Sequence, residues 1–521
     1  MGLDILSSAE KSSAAAGMLL YVGLVVVIGL RHARRNHSTE HFLLGSRSLG
    51  PLVTAMSAEA SDMSSWLLMG LPGLAYLTGL GSPAWVAIGL AAGTWLNWRF
   101  VAVRLRTYSH MAGNAITVPE FFANRFGDRH HVLLVLAAGT TAFFFTVYTS
   151  SGFAALGKLF HSLFGFDYTA MMVCGALVVV AYTVAGGFLA ESTADLMQGS
   201  LMILSLVVVL AAGIVEAGGM GAAAAAMGRL PGYAALLASH ERASGGAVQL
   251  SWLEIASSLS WGLGYFGMPH VLLRFMAIRD AAELGRSRRI AMAWVVVSLA
   301  AAVGIGVVGA AAVPWLLEGA GEAQQAGRSE TVFIVMTQLL TRYSPAMAIL
   351  VGVVLSGILA ATMSTSDSQL LITSSAVAKD LYKGVLRRQA SDKQVLWAAR
   401  LTILVVAVIA GVLAADPDSS IFGIVSYAWA GFGAAFGPLM LFALFWPRTN
   451  LAGAIAGMTS GFLGVVVWKH WLAPRGGPWA VYELLPAFLF SAGCIVAASL
   501  LSAPPPARIQ QEFRRAVATA R

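Results

Sequence analysis

Two polar runs interrupt apolar stretches of this chain. The first is Ser57-Ala58-Glu59-Ala60-Ser61-Asp62-Met63-Ser64-Ser65; the second is Ala361-Thr362-Met363-Ser364-Thr365-Ser366-Asp367-Ser368-Gln369. An ionised carboxylate such as Asp62 costs roughly 2.5–3.5 kcal/mol at the centre of a bilayer on insertion scales, so it is expected where it meets an ion, a proton or a polar solute. In the second run Ala361, Ser364, Thr365 and Ser368 share one helical face. A serine/threonine pair joined by freed main-chain carbonyls supplies the several oxygens that a small hard cation such as Na⁺ requires, and unwound backbone at Ala60 and Met63 would add carbonyls from the first run. The same hydroxyls can instead bond back to their own helix or to a neighbour, and spacing alone leaves both readings open. Asp367 points away from that face and is expected to pair with a polar neighbour.

A third cluster is Trp261-Gly262-Leu263-Gly264-Tyr265-Phe266-Gly267-Met268-Pro269-His270. Trp261, Tyr265 and Pro269 recur every four residues, which places them on one wall of a pocket with apolar sides and few polar groups, the form an organic solute needs. Phe266 is expected to be ordinary packing and His270 an ordinary buried, hydrogen-bonded histidine. Glu191, Ser192, Thr193 and Asp195 open a later apolar stretch and read first as helix-capping groups, with Asp195 also placed to help an ion leave. Arg47, fifteen residues before Asp62, reads equally well as a gate or as loop charge.

The elements that must hold these residues are membrane helices. The 521 residues are 58% hydrophobic and 11% charged, far from soluble usage with about a quarter charged. About 20 apolar residues cross the hydrocarbon core, which gives thirteen expected spans near 14–30, 52–77, 84–100, 131–162, 168–185, 195–217, 252–274, 290–315, 345–380, 395–415, 420–445, 451–471 and 482–502. The first thirteen residues have one basic group, Lys11, and no cleavage site, so 14–30 reads as a retained span rather than a signal peptide. With the N-terminus outside, 25 of the 33 basic residues fall in cytoplasmic segments, the orientation that the positive-inside rule selects. The net charge of +8 is then topology, and a nucleic-acid partner is not expected. Cys174 and Cys494 lie in apolar segments and read as two buried thiols with no disulfide framework or metal cluster.

Broken helices in corresponding positions of two halves point to the binding site of a secondary transporter. Span 2 is interrupted around Asp62, and span 7 by Gly262, Gly264, Gly267 and Pro269, with five spans from one break to the other. A five-span unit reverses its orientation when repeated. The expected division is therefore 1–51 (peripheral span and cytoplasmic loop), 52–217 (first repeat), 218–251 (outer loop), 252–445 (second repeat, inverted) and 446–521 (two peripheral spans and a cytoplasmic tail). No nucleophile–base pair or phosphate-cradling loop supports an enzyme, and a transporter-like membrane solute sensor, which would normally need a large output domain where nineteen residues follow Ser502, is kept as the alternative of a different class.

The motifs Gly45-Ser46-Arg47-Ser48-Leu49-Gly50-Pro51, Ala60 to Gly73, Gly186-Gly187-Phe188-Leu189-Ala190, Trp261 to His270 and Met363-Ser364-Thr365 recur in this order over residues 15 to 500. The chain resembles the sodium/solute symporter family, and within it the proline-transporting bacterial members. That resemblance implies an all-α integral membrane protein with a five-plus-five inverted repeat of the leucine-transporter type, residing in a bacterial-type inner membrane and taking up solute with Na⁺ as coupling ion and no cofactor. It further implies a sodium site from Ala60, Met63, Ala361, Ser364 and Thr365, with Asp62 and Asp195 on the ion path. L-Proline would be held by Ser64, Ser65, Tyr148, Trp261, Tyr265 and Pro269, with Arg47 at the inner gate. Two positions depart from the proline motif, Met268 standing for Gln and Ser65 for Gly. They keep another small amino acid or zwitterion open as the solute. Proton coupling through Asp62 stays the alternative to sodium.

Overall fold

The chain, seen as a computed structural model, is described over residues 5–33, 44 and 47–519. Gly45 and Ser46 of the first motif, and Arg34, Arg35 and Arg521 of the basic count, lie outside those residues.

Helix α1 (Ser8–Ala33) stands at the periphery. It is followed by α2 (Pro51–Ser65), a π-helical turn at Trp66–Gly70, and α3 (Leu71–Thr78). Next come α4 (Gly81–Leu96), a second π turn, α5 (Ala102–Met111), the short α6 (Val118–Phe126), and the long α7 (Val132–Phe164). Helix α8 (Tyr168–Glu216) is two helices run together across Gly187. The expected outer loop carries α9 (Met220–Gly228) and a hairpin of β1 (Ala238–Glu241) and β2 (Gly246–Gln249).

The second half repeats the pattern. Helix α10 (Trp252–Leu259) passes through a 3₁₀ segment at Ser260–Phe266 into α11 (Pro269–Ala277), then α12 (Leu284–Ala312). The short α13 (Glu322–Ser329) and α14 (Val332–Gln338) lead to α15 (Met347–Ser375), which a π-helical stretch carries on to Leu386. Helices α16 (Asp392–Leu413), α17 (Ile421–Phe445), α18 (Leu451–Val467) and α19 (Leu484–Leu501) complete the bundle, and α20 (Ala507–Thr519) lies at its basic end. Among the described residues ten helices are long and apolar enough to cross singly. The thirteen expected crossings are thus not thirteen continuous helices: two are the broken ones and a third, Tyr168–Val184, is a shorter apolar helix.

Both breaks have local causes. In the first, Ser64 adopts φ 48°, ψ −174°, a left-handed backbone at a non-glycine residue, which costs on the order of 1–3 kcal/mol and persists only where the surroundings enforce it. In the second, Met268 is extended (φ −76°, ψ 109°) and Pro269 starts the new helix, where its missing N–H costs nothing. Gly267 lets this break touch α17: a Cβ there would sit 2.2 Å from the Phe432 carbonyl oxygen. Helices α2 and α8 pack on α15, while α1 lies outside α8 and α15, and α18 pairs with α19. The two breaks therefore face each other inside the bundle. Cys174 is exposed and Cys494 half-buried, which corrects the buried-thiol expectation. Apolar residues face lipid as readily as core, so hydropathy does not separate the two.

Candidate functional site

The first break is pinned by α7. Tyr148 donates from its hydroxyl to the Asp62 carbonyl at 3.2 Å and to Ser64 Oγ at 3.5 Å, while the Trp66 N–H donates to Ser64 Oγ at 3.1 Å. The Asp62 side chain, 3% exposed, reaches both halves of the second break. Tyr265 in the 3₁₀ segment donates to Oδ2 at 2.8 Å, and His270 in α11 places Nε2 3.2 Å from Oδ1. One carboxylate thus joins both broken helices, so movement at either break changes its partners. His270 is the buried, hydrogen-bonded histidine expected, and its partner places it in this site.

Beside it, Ser364 Oγ donates to the Ala60 carbonyl at 2.8 Å and to the Ala361 carbonyl at 3.2 Å. The Met63 carbonyl accepts from the Trp66 N–H and keeps a second lone pair. Thr365 Oγ1 and Ser65 Oγ are buried without a hydrogen-bond partner among the described residues. A buried hydroxyl left unmatched costs about 1–3 kcal/mol, and an arriving cation or polar solute removes that cost. The five oxygens expected for sodium therefore come from two neighbouring segments, with three residues (Ala60, Ala361, Ser364) in direct contact. Asp367 takes a hydrogen bond from Thr183, the polar neighbour expected for it.

Toward the end opposite the arginine-rich loops the site is roofed by rings. Trp261 stacks against Trp66 at 5.4 Å and Tyr482 at 5.0 Å and meets Phe422 tilted at 5.2 Å, and Tyr265 meets Trp429 edge-on. Phe422 opens α17, and its first turn is held by Glu330: the carboxylate accepts from the N–H groups of Ile421 and Phe422 at 3.0 and 2.9 Å. Lys158 pairs with the same carboxylate at 2.8 Å. Sequence reasoning missed this latch. Its signal was Lys158, a lone cation late in an apolar span. Pro269, expected on the Trp261 wall, lines a narrow crevice with Thr117, Leu273 and Ser375, because the 3₁₀ backbone and extended Met268 break the four-residue period.

At the basic end the reading of Glu191 and Asp195 as caps is overturned. Gly187 (φ 70°, ψ 177°) restarts α8, so Asp195 lies two turns inside the helix and is fully buried. Arg274 of α11 pairs with Glu191 and, at 3.4 Å, with Asp195; Ser57 donates to Asp195 at 2.6 Å and accepts from Arg274 Nε at 3.0 Å. Arg274, expected as loop charge, is 0% exposed and ties α2, α8, α11 and, through Ser368, α15. Nearby, Glu59 accepts from Trp98 Nε1 at 3.0 Å. Arg47 donates to the Met276 carbonyl at 2.6 Å and the Ala115 carbonyl at 2.7 Å. It thereby ties the segment before α2 to the foot of α11 and to the segment before α6.

The model of the sodium:solute symporter family matches residues 42–461. The chain belongs to this family. Among curated relatives, the sodium/proline symporter of Escherichia coli (strain K12) is 43% identical over 499 residues, 95% of each chain. The high-affinity proline transporter of Bacillus subtilis (strain 168) is 42% identical over 494 residues, covering 94% of this chain and 98% of the relative. A solved sodium-coupled sialic acid symporter, in a substrate-bound outward-open state, aligns with a TM-score of 0.73 at 17% identity over 94% of this chain and 98% of its own. A nucleobase-cation-symport-1 family transporter in a closed conformation aligns with a TM-score of 0.50 at 14% identity, covering 91% and 98% of the two chains. At those identities the likeness is one of fold, and the fold of this family member is the leucine-transporter type. In this chain Asp62, Trp261, Tyr265 and Ser364 are all at most 4% exposed.

Proposed function

We propose that this symporter couples inward Na⁺ movement to uptake of a small organic solute, L-proline, across a bacterial inner membrane by alternating access. The observation that carries the reading is Asp62, bonded at once to Tyr265 and His270 across the second break and two residues from Ala60, whose carbonyl meets Ser364. The relatives named as proline transporters, similar along nearly the whole chain, support the choice of solute. Na⁺ is bound by Ala60, Met63, Ala361, Ser364 and Thr365, with Asp62 and Asp195 on its path. The solute sits under Trp261 against Ser64, Ser65, Tyr148 and Tyr265, with Pro269 at the far edge. Arg47 gates the cytoplasmic end, and the N-terminus lies outside.

Both ligands stabilise the same closed form, which is the condition for coupling. Sodium adds oxygen contacts that hold the first break against α15, and the solute fills the space beneath the aromatic roof, where Phe422 and Trp261 meet. At −100 mV each inward charge contributes roughly 2.3 kcal/mol before any concentration gradient. The test is uptake of labelled proline into liposomes holding the purified protein, with an inward Na⁺ gradient, an inward H⁺ gradient, or neither. Uptake that requires Na⁺ is expected. Uptake driven equally by H⁺ would overturn the sodium assignment and move the coupling role to the carboxylates of Asp62 and Glu59.

A further inference from the structure

An apolar groove opens on the outer face of the bundle, away from the transport site. Its volume is about 660 Å³ and its walls include Leu96, Phe100, Phe266, Phe445, Trp446 and Phe488. That volume lies within the range of ligand cavities, about 300–1,000 Å³, yet every wall residue is apolar, so the occupant must be hydrocarbon along this length. The two ends differ. Phe266 lies beside the second break, while Phe445 and Trp446 close α17 at the basic end. Leu96, Phe100 and Arg104 follow one another at four-residue steps through the π turn at Asn97–Val101 into α5.

The rim at the basic end is cationic. Arg104 lies 4.2 Å from the centre of the Phe445 ring and donates to the Leu444 carbonyl at 3.0 Å. Further along the groove Arg99 is exposed, its guanidinium 5.2 Å from the centre of the Phe100 ring and free to extend along the groove edge toward that rim. Both guanidinium groups thus lean on rings that line the groove. No groove-lining residue is acidic. A groove apolar along its walls, with Arg104 at its mouth and Arg99 along its edge, matches an acyl chain carrying an anionic headgroup.

We propose that this groove is a binding site for an anionic phospholipid of the leaflet on the arginine-rich side, with an acyl chain along Phe100, Phe445 and Phe266 and the phosphate at Arg99 and Arg104. Its inner end bears on Phe266, the residue between Tyr265, which holds Asp62, and Gly267, which forms the break. Occupancy therefore packs the hinge from the lipid side. The proposal does not depend on which ion or solute is carried, because its test reads lipid and not transport.

The experiment is native mass spectrometry of the purified full chain given equal dioleoyl-phosphatidylglycerol and dioleoyl-phosphatidylcholine. Two arginines at a membrane surface favour the anionic lipid by on the order of tenfold or more, so phosphatidylglycerol is expected to be retained preferentially by that factor. The preference should vanish in Arg99→Gln/Arg104→Gln and persist in Arg99→Lys/Arg104→Lys. Filling the groove with Ala492→Trp should lower retention of phosphatidylglycerol. Equal retention of the two lipids by the unaltered chain would overturn the proposal, whatever the variants do. So would a preference unchanged in both the glutamine and the tryptophan variants, or a dimer that retains neither lipid, which would give the groove to a second copy.

Discussion

At the scale of single residues the site is a set of oxygens with few hydrogens to spare. Asp62→Asn keeps the shape of the side chain and removes its charge. Sodium activation of uptake should be lost while the protein remains in the membrane; an unchanged sodium response, measured as initial rate against Na⁺ concentration, would exclude Asp62 from the ion path. Ser364→Ala with Thr365→Ala removes two oxygens from the cation. Since hydrogen bonds to charged groups contribute about 1.5–3 kcal/mol, half-saturation by sodium should rise by roughly tenfold or more. Trp261→Ala opens the roof and should raise the proline concentration for half-maximal uptake by about tenfold, with sodium half-saturation little changed. Arg274 belongs to stability more than to ligand binding. Replacing it by Gln leaves Glu191 and Asp195 facing each other in a dry interior, where breaking a buried pair costs about 3–5 kcal/mol. Thermal unfolding in detergent should fall accordingly, and Glu191→Gln in the same chain should restore part of the loss.

At the scale of elements the interruptions matter more than the helices. Gly187 carries a backbone open to glycine almost alone (φ 70°, ψ 177°), so Gly187→Val should misplace Glu191 and Asp195 together and lower both thermal stability and sodium-driven uptake. A variant with normal stability and transport would show that the kink is not what positions them. The breaks themselves were legible in the chain, because Ser64 and the Gly262–Pro269 run offend the helix locally, and local offence is visible without neighbours. The hydroxyl face of Ser364 and Thr365 was legible for the same reason: period and residue type coincide on one helix. Partners across helices were not. Nothing in the sequence near Asp195 announces Arg274, and nothing near Lys158 announces Glu330, since each pair joins distant segments. Pro269 was misplaced because a helical period was carried through backbone that is not α-helical, and Cys174 because a lipid-facing side has the same composition as a core.

At the scale of the molecule, charge sets the orientation and ring packing sets the state. By the positive-inside rule the basic loops at the foot of α2, α5, α11 and α15 are expected in the cytoplasm, and a reporter fused after Thr519 should be active only in its cytoplasmic form; activity of a periplasmic reporter there would reverse the assignment. The aromatic roof has a consequence of a different kind. Trp66, Trp261, Phe422 and Tyr482 come from four separate segments and meet within 6.1 Å of ring centre to ring centre for Trp66–Phe422, and closer for Trp66–Trp261. Two indoles at 5.4 Å are close enough to couple their ultraviolet transitions, and any swing of one half against the other separates them. The protein therefore contains its own optical gauge: adding sodium and solute should change the near-ultraviolet circular dichroism, and Trp66→Phe should silence that change without a dye or label.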